Sequence, residues 1–149
     1  MATRTPRAVV HCLLRRADEV LLIRLVESGS GRIAWRAPGG GIEWRESAEE
    51  AVRREVREEV GVTLSDCRLL EVIEAFGTWD GNEEHEVIFL FEAEPAEWQS
   101  LAGPNVLGIE ANGKPLEMHW VRGDALMAEG QELYPAQLGV HIARESTSS

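Results

Sequence analysis

Residues 40–62, GGIEWRESAEEAVRREVREEVGV, specify a loop, a helix and the end of that helix. Ser47 and Glu50 have the spacing of a capping box, in which a hydroxyl and a carboxylate satisfy backbone amides at a helix start. A narrow apolar stripe then recurs along the segment at Ala48, Val52, Val56 and Val60. Gly61 can take the left-handed conformation that ends a helix. The segment therefore predicts a helix that begins near Ala48 and docks on a core through one stripe.

Three carboxylates, Glu55, Glu58 and Glu59, lie beside this stripe. Because they are three or four residues apart, they share one region of the helix surface. A solvated acidic face is the ordinary explanation, since each repulsive pair costs only about a few tenths of a kcal/mol. The preceding residues 35–41, WRAPGGG, favour a ligand site over a solvated face, because a glycine loop lets backbone groups approach a ligand closely. We therefore predict a cage for a hard cation, Mg²⁺ or Mn²⁺, between loop and helix.

The spacing G-x5-E-x7-R-E-V-x-E-E-x-G-V resembles the signature of the Nudix hydrolases. These are metal-dependent enzymes that cleave nucleoside diphosphates linked to another group. The resemblance implies hydrolysis of a pyrophosphate bond by attack of an activated water on phosphorus. It implies metal binding by Glu55, Glu59, Glu58 and the carbonyl of Gly39.

The resemblance also separates structural from catalytic residues. Glu46 and Arg54 match an ion pair that fastens the helix to its loop. Members often recruit one more glutamate from the loop before a late strand, as metal ligand or general base. We choose Glu110 for that role, with Glu117 as the alternative. The predicted catalytic set is therefore Glu55, Glu58, Glu59 and Glu110, and Glu55 is a second candidate base.

The order of predicted elements resembles the Nudix fold, an α+β structure of the α/β/α sandwich type with a mixed β-sheet between helices. Strands are expected at 7–15 and 19–26 as a hairpin, at 67–76 and 85–94 around a turn at 77–82, and at 116–121. Residues 95–115 are expected to form a long polar loop, and helices are expected at 123–128 and 135–144. We expect one domain over residues 1–149, with flexible ends at about 1–6 and 145–149.

Candidate substrate-binding residues surround the glycine loop. Arg36 lies directly before it, and a guanidinium can bind a phosphate through two hydrogen bonds. Gly40 and Gly41 leave the backbone open to phosphate oxygens. Trp79 could stack on a nucleobase, although packing is the commoner use of tryptophan. The other arginines near the loop, Arg24, Arg32 and Arg45, are expected to have surface roles.

Composition limits the kind of partner. A formal net charge of −11, from 26 acidic and 15 basic residues, argues against binding along the backbone of DNA or RNA. A small nucleotide-type substrate carried with a metal ion fits better. Cys12 and Cys67 have no spacing for zinc or for a disulfide motif, which favours free thiols in the cytoplasm. The apolar run 8–14 is too short for a membrane span. A homodimer is left open.

Two other functions stay open. A Nudix domain can act as a non-catalytic nucleotide sensor, but such domains usually lose signature glutamates, and here all are kept. An isopentenyl diphosphate isomerase-like enzyme would need a cysteine facing the allylic carbon, and neither Cys12 nor Cys67 has a recognisable context for that. Markers of subfamilies that act on ADP-ribose or dinucleoside polyphosphates are missing at residues 78–80, so the substrate could be a nucleotide, a nucleotide sugar or an ADP-ribose type molecule.

Overall fold

The computed structural model describes residues 4–110 and 112–143, except for the side chain of Ser100. The strands and helices in chain order are β1 (Arg7–Arg16), β2 (Glu19–Val26), β3 (Ile33–Arg36), β4 (Gly39–Gly41), α1 (Ala48–Glu59), β5 (Leu64–Trp79), β6 (Asn82–Pro95), β7 (Asn105–Ile109), β8 (Pro115–Arg122), α2 (Gly123–Ala128), β9 (Glu132–Leu133) and α3 (Leu138–Ile142). A short 3₁₀ helix spans Gln99–Leu101. The predicted flexible end 145–149 and the last residue of the predicted C-terminal helix, Arg144, lie outside the described residues.

The hairpin of β1 and β2 divides the sheet into two halves. Its strands pair at the turn, where Arg15 opposes Val20 and Arg16 opposes Glu19. Further from the turn, β1 pairs with β4 and, in parallel, with β6, whereas β2 pairs with β3 and β8. One half has the order β4-β1-β6-β5, and the other has the order β7-β8-β2-β3-β9. The predicted mixed sheet is confirmed, and a cleft opens where the two halves separate.

Helix α1 covers one face of the first half. The Ser47 hydroxyl accepts the Glu50 N–H at 3.1 Å, and the Glu50 carboxylate accepts the Ser47 N–H at 3.1 Å. The predicted capping box is therefore present. Val52 and Val56 are fully buried in a core shared with β1 and β6, and each such side chain contributes about 1.5 to 2 kcal/mol on burial. Gly61, at φ +82°, follows the helix as predicted.

Helices α2 and α3 cover the opposite face. Leu126, Leu138 and Ile142 pack in a second core with Leu13 and Leu90 of the central strands. The sheet therefore lies between helices on both faces, as expected for a sandwich. Within the described ranges, no helix is both long and apolar enough to cross a membrane.

The prediction that residues 35–41 form a loop is wrong. Trp35 and Arg36 end strand β3, and Gly39–Gly41 form strand β4, which pairs antiparallel with β1. A Cβ on Gly39 would lie 1.8 Å from the carbonyl oxygen of Val10, so a side chain cannot occupy this position. The glycines therefore allow two backbones to meet closely, in addition to leaving room for a ligand.

The predicted turn at 77–82 and the predicted loop at 95–115 are both too long. Asp80 (φ +51°) and Gly81 (φ +79°) make a tight two-residue turn, which lets β5 and β6 continue to their tip. Residues 105–109 form β7, which pairs antiparallel with β8. The glycines in that stretch resemble loop punctuation, but Gly108 packs inside the structure.

Gly108 lets β7 dock on the end of α1. A Cβ there would lie 2.5 Å from the carbonyl oxygen of Glu59 and 2.3 Å from the Met118 methyl. We expect Gly108→Ala to lower the free energy of unfolding by about 1 to 3 kcal/mol, because backbone must shift. Urea unfolding measures the change. Gly103→Ala is the control, since its Cβ would meet its nearest neighbour at an ordinary 3.7 Å. Equal midpoints for the two variants would contradict this account.

Candidate active site

A cleft of about 810 Å³ lies between the two halves of the sheet. Its walls come from β1, β4, the end of α1, the tip of the β5–β6 hairpin and the segment around β9. This volume lies within the range of about 300 to 1,000 Å³ that holds most small ligands. The divergence of β1 from β2 therefore creates a space large enough for a small ligand.

Two carboxylates of α1 meet the glycine strand at one end of the cleft. A Cβ on Gly40 would lie 2.5 Å from the carboxyl carbon of Glu55, so the absence of a side chain makes room for this carboxylate. The Gly39 N–H donates to Oε1 of Glu59 at 2.8 Å. The predicted approach of helix glutamates to the glycine segment is therefore present in the structure.

Glu59 has an unusual electrostatic environment. Burial raises its pKa to about 7, although the Arg36 charge and the Gly39 N–H oppose that rise. The nearby carboxylates of Glu55 and Glu110 add to it. Three acidic groups thus repel one another in a partly dry cleft, where a cation would relieve the repulsion.

Arg54 fixes the position of this end of α1. Its guanidinium binds Glu46 through two hydrogen bonds of 2.7 and 2.9 Å, and it donates to the carbonyl oxygen of Gly41 at 2.9 Å. It also donates to Glu55 at 2.8 Å and to Glu58 at 3.3 Å. The predicted ion pair of Glu46 and Arg54 is confirmed. Glu58 is the outlying carboxylate, with a side chain that is 55% exposed.

The donor set suits a hard divalent cation in chemistry but is not drawn together. Among the described residues, no three of His, Cys, Asp and Glu converge into a metal-binding group. The hydrogen bonds of the two carboxylates explain why they stay apart, because Arg54 donates to Glu55 while the Gly39 N–H donates to Glu59. All of the candidate donor atoms are oxygens, the ligand type that Mg²⁺ and Mn²⁺ prefer. A bound cation would replace Arg54 as the neighbour of Glu55.

The two loop glutamates lie in different places. Glu110 lines the cleft and is close enough to Glu59 to affect its pKa. Its backbone N–H donates to the carbonyl oxygen of Lys114 at 2.8 Å and so helps to close the β7–β8 hairpin. Glu117 instead pairs with His119 at 3.0 Å and with Arg24 at 3.7 Å. Of the two, Glu110 has the position that a group acting in the cleft requires.

The basic side of the cleft contains more arginines than the sequence indicated. Arg36 lines it, as predicted, but Arg32 does too, stacked over the Trp79 ring at 4.8 Å. Arg32 is exposed and pairs with Glu27 and Glu132, as a surface residue does, and it also borders the cleft. Arg7 was missed, and its Nη2 would lie 2.8 Å from a Cβ on Gly41. Its position at the start of β1 gave no local signal, because the pairing of β1 with β4 brings it there.

Three further cleft residues escaped sequence reasoning, namely His11, Glu86 and Tyr134. A signal for Glu86 existed, because this charged residue alternates with Ile88 and Leu90 on the inward face of β6. Cys12, by contrast, faces the core, and burial raises the pKa of its thiol. Cys12 therefore has none of the properties of a nucleophile.

A family model described as NUDIX domain matches residues 4–137. An RNA pyrophosphohydrolase of Teredinibacter turnerae is 39% identical over 62 residues, which are 35% of this chain and 36% of that protein. An 8-oxo-dGTP diphosphatase of Escherichia coli strain K12 is 35% identical over 80 residues, which are 46% of this chain and 59% of that protein. The chain thus spans about a third to three fifths of the length of these curated relatives.

Solved structures share the fold over nearly the whole chain. A MutT NUDIX hydrolase from Burkholderia pseudomallei is 26% identical, with a TM-score of 0.61, and covers 95% of this chain and 100% of its own. A NUDIX hydrolase from Nitrosomonas europaea is 20% identical, with a TM-score of 0.64, over 93% of this chain and 88% of its own. The predicted fold class is confirmed.

The Arg54 anchor makes a prediction for acid stability. We expect Glu46→Gln to lower the free energy of unfolding at pH 7 by about 1.5 to 3 kcal/mol, because it removes charge-assisted hydrogen bonds. Arg54 holds the pKa of Glu46 at about 2, below its ordinary value of 4.5. The stabilisation is therefore present above pH 4.5 and is lost as the pH falls toward 2.

Chemical unfolding of both proteins at several pH values between 2 and 7 tests this. The difference in free energy of unfolding between the wild type and Glu46→Gln should shrink toward zero as the pH falls from 4.5 to 2. Glu49→Gln removes an equal charge from the exposed side of α1, where Glu49 faces Arg53 at 3.6 Å, and is the control. A Glu46 effect that does not depend on pH would show that the ion pair is not its source.

Proposed function

The chain belongs to the Nudix family, and from this we propose that it is a metal-dependent pyrophosphohydrolase acting on a nucleoside diphosphate linked to another group. The observation that carries the proposal is the contact of Glu55 and Glu59 with the glycine strand β4, in a cleft that Glu110 also lines. The proposal is supported by relatives named as an RNA pyrophosphohydrolase and an 8-oxo-dGTP diphosphatase, whose names both describe cleavage of phosphoric anhydrides.

Mg²⁺ or Mn²⁺ is the proposed cofactor, and Glu55, Glu59 and the carbonyl of Gly39 are its proposed ligands. Glu58 lies one turn from Arg54 and would assist. When bound, the cation neutralises charge on phosphate oxygens and makes water more acidic. Glu55 would bind the cation in place of Arg54, while the hydrogen bonds of Arg54 to Glu46 and to the Gly41 carbonyl would keep the helix anchored.

The proposed proton acceptor is Glu110. A water molecule attacks phosphorus, the new bond forms between the water oxygen and phosphorus, and the bridging P–O bond breaks. Glu110 takes the proton that the water loses, and the departing phosphate oxygen keeps the electron pair of the broken bond. Glu55 is the second candidate for this proton, since it lies in the same end of the cleft.

The remaining cleft residues would bind the substrate. Arg36 and the backbone of Gly40 and Gly41 would contact its phosphates, because they flank the carboxylates. Trp79 would stack on the nucleobase through the ring face away from Arg32. We also propose a cytoplasmic location, which the free thiols of Cys12 and Cys67 support.

The metal proposal is tested with two substitutions on α1. We expect Glu55→Gln and Glu59→Gln each to lower kcat by about 100-fold or more with Mg²⁺ or Mn²⁺, because a lost carboxylate weakens charge neutralisation at the transition state. Nucleotide products are separated and quantified by chromatography after incubation with nucleoside triphosphates, ADP-ribose, nucleotide sugars and dinucleoside polyphosphates, with and without EDTA.

Glu49→Gln is the matched control, since Glu49 lies on the same helix but outside the cleft wall. It should retain wild-type turnover. If the wild-type protein turns over none of these substrates with either metal, the hydrolase proposal is wrong and a nucleotide-binding module takes its place.

The role of Glu110 is tested separately. Glu110→Gln should lower kcat by about 100- to 10,000-fold with little change in KM, because a general base acts in the transition state. The same substitution at Glu117 is the control, because that residue pairs with Arg24 and His119 instead. A Glu110→Gln enzyme within twofold of the wild type would transfer the role of base to Glu55.

A further inference from the structure

Glu86 is a buried carboxylate in the cleft wall, apart from the carboxylates of α1. The residue is 8% exposed. Its Oε1 accepts the hydroxyl of Tyr134 at 2.6 Å. The Arg7 guanidinium stays 3.8 Å from Oε2, which is beyond hydrogen-bond distance. Because a carboxylate can accept about four hydrogen bonds, Glu86 retains strong acceptor capacity toward a ligand in the cleft.

Tyr134 fixes the orientation of Glu86 from the other half of the sheet. Its backbone N–H donates to the carbonyl oxygen of Trp35 at 2.9 Å, which anchors it to β3. Gly77 leaves room for its ring, because a Cβ there would lie 3.2 Å from a ring carbon. Burial and the Glu86 carboxylate raise the pKa of the Tyr134 hydroxyl above its ordinary value. The hydroxyl therefore stays a donor, and one carboxylate oxygen is left for the ligand.

His11 is a second buried polar residue that lines the cleft. It is 4% exposed, and no described residue lies within hydrogen-bond distance of its Nδ1. Buried polar groups in folded proteins are nearly always hydrogen-bonded. The Nδ1 atom of His11 is itself enclosed, so His11 makes this part of the cleft polar, and Glu86 is the group that would contact a ligand.

The strand register places Glu86 midway along the cleft. Glu86 opposes Ala75 on one side and Arg7 on the other. Trp79 lies four residues beyond Ala75, and His11, which opposes Gly39, lies four residues beyond Arg7. Each interval is about 13 Å along a strand. In a nucleoside diphosphate the sugar also lies between the base and the phosphates, so the cleft matches it in the order of these groups, while the side chains must reach inward to contact so short a molecule.

We propose that Glu86, oriented by Tyr134, binds the ribose hydroxyls of the substrate, so that the enzyme selects ribonucleotides over deoxyribonucleotides. The inference rests on the proposed function, because that function sets which end of the cleft holds the phosphates. Carboxylates bind ribose hydroxyls in other nucleotide sites for the same reason, as strong acceptors facing two donors. Glu86 is then a residue that determines specificity and takes no part in the bond cleavage.

The test compares kcat/KM for ribonucleoside triphosphates and for their 2′-deoxy and 3′-deoxy counterparts with Mg²⁺. The wild type should prefer the ribonucleotide over at least one deoxy series by about 10- to 100-fold, the worth of a hydrogen bond to a charged group. Glu86→Gln should narrow that ratio toward one. Glu94→Gln is the matched control, since it removes an equal charge from an exposed position of the same strand and should keep the wild-type ratio.

Tyr134→Phe is a second variant, which keeps the ring but frees Glu86 to turn, and it should narrow the ratio in part. Thermal unfolding of each variant identifies any that fails to fold. A wild-type ratio within twofold for both deoxy series overturns the proposal. So does a variant that loses activity equally on all substrates, which indicates a structural role.

Failure of the hydrolase function gives a different result. In that case the wild type turns over no nucleotide at all. The dissociation constants of the same ribo and deoxy pairs, measured by calorimetry with Mg²⁺, then decide the matter. Tighter binding of the ribonucleotide that depends on Glu86 supports sugar recognition, and equal binding overturns it.

Discussion

The arrangement of the cleft depends on one guanidinium group. Arg54 of α1 binds Glu46 through two hydrogen bonds and reaches the carbonyl oxygen of Gly41, which belongs to β4. Helix and glycine strand are thereby held at one fixed separation. The same guanidinium donates a hydrogen bond to Glu55. The residue that anchors the helix therefore also positions the first carboxylate that the helix contributes to the cleft. Because all of these hydrogen bonds are charge-assisted, the arrangement resists the repulsion between neighbouring carboxylates.

That repulsion is the cleft's main electrostatic feature. The chain has a formal net charge of −11, and Glu55, Glu59 and Glu110 lie close together in its cleft, which arginines also line. Burial raises the pKa of Glu59, which shows how far this part of the cleft is removed from bulk water. A phosphorylated ligand alone would be repelled here, whereas a ligand carried with a divalent cation would not. The charge pattern therefore favours the joint binding of metal and phosphate.

Sequence reasoning succeeded where structure is local. The capping box and the stripe led by Val52 and Val56 follow from spacing within one segment, and the Glu46–Arg54 pair follows from the resemblance of that segment to the family signature. It failed for strands whose partners are distant. Residues 35–41 resembled a loop because glycine usually marks one, yet their pairing with β1 depends on a backbone contact that only glycine permits. Strand β7 was missed although its partner β8 is the next strand, because Gly108, which permits a close backbone contact with Glu59, resembles a loop residue.

The cleft therefore combines two kinds of sequence information. At the carboxylate end of the cleft, Glu55 and Glu59 are four residues apart on one helix. Their closeness can therefore be predicted from spacing in the sequence alone. The middle of the cleft is specified by register, because Glu86 faces the cleft only while β6 keeps its parallel alignment with β1. A slip of one residue would turn Glu86 toward the core under α1 and bring Val87 to the cleft. A short motif can thus identify a reaction class, whereas the residues that would choose a substrate depend on long-range strand pairing.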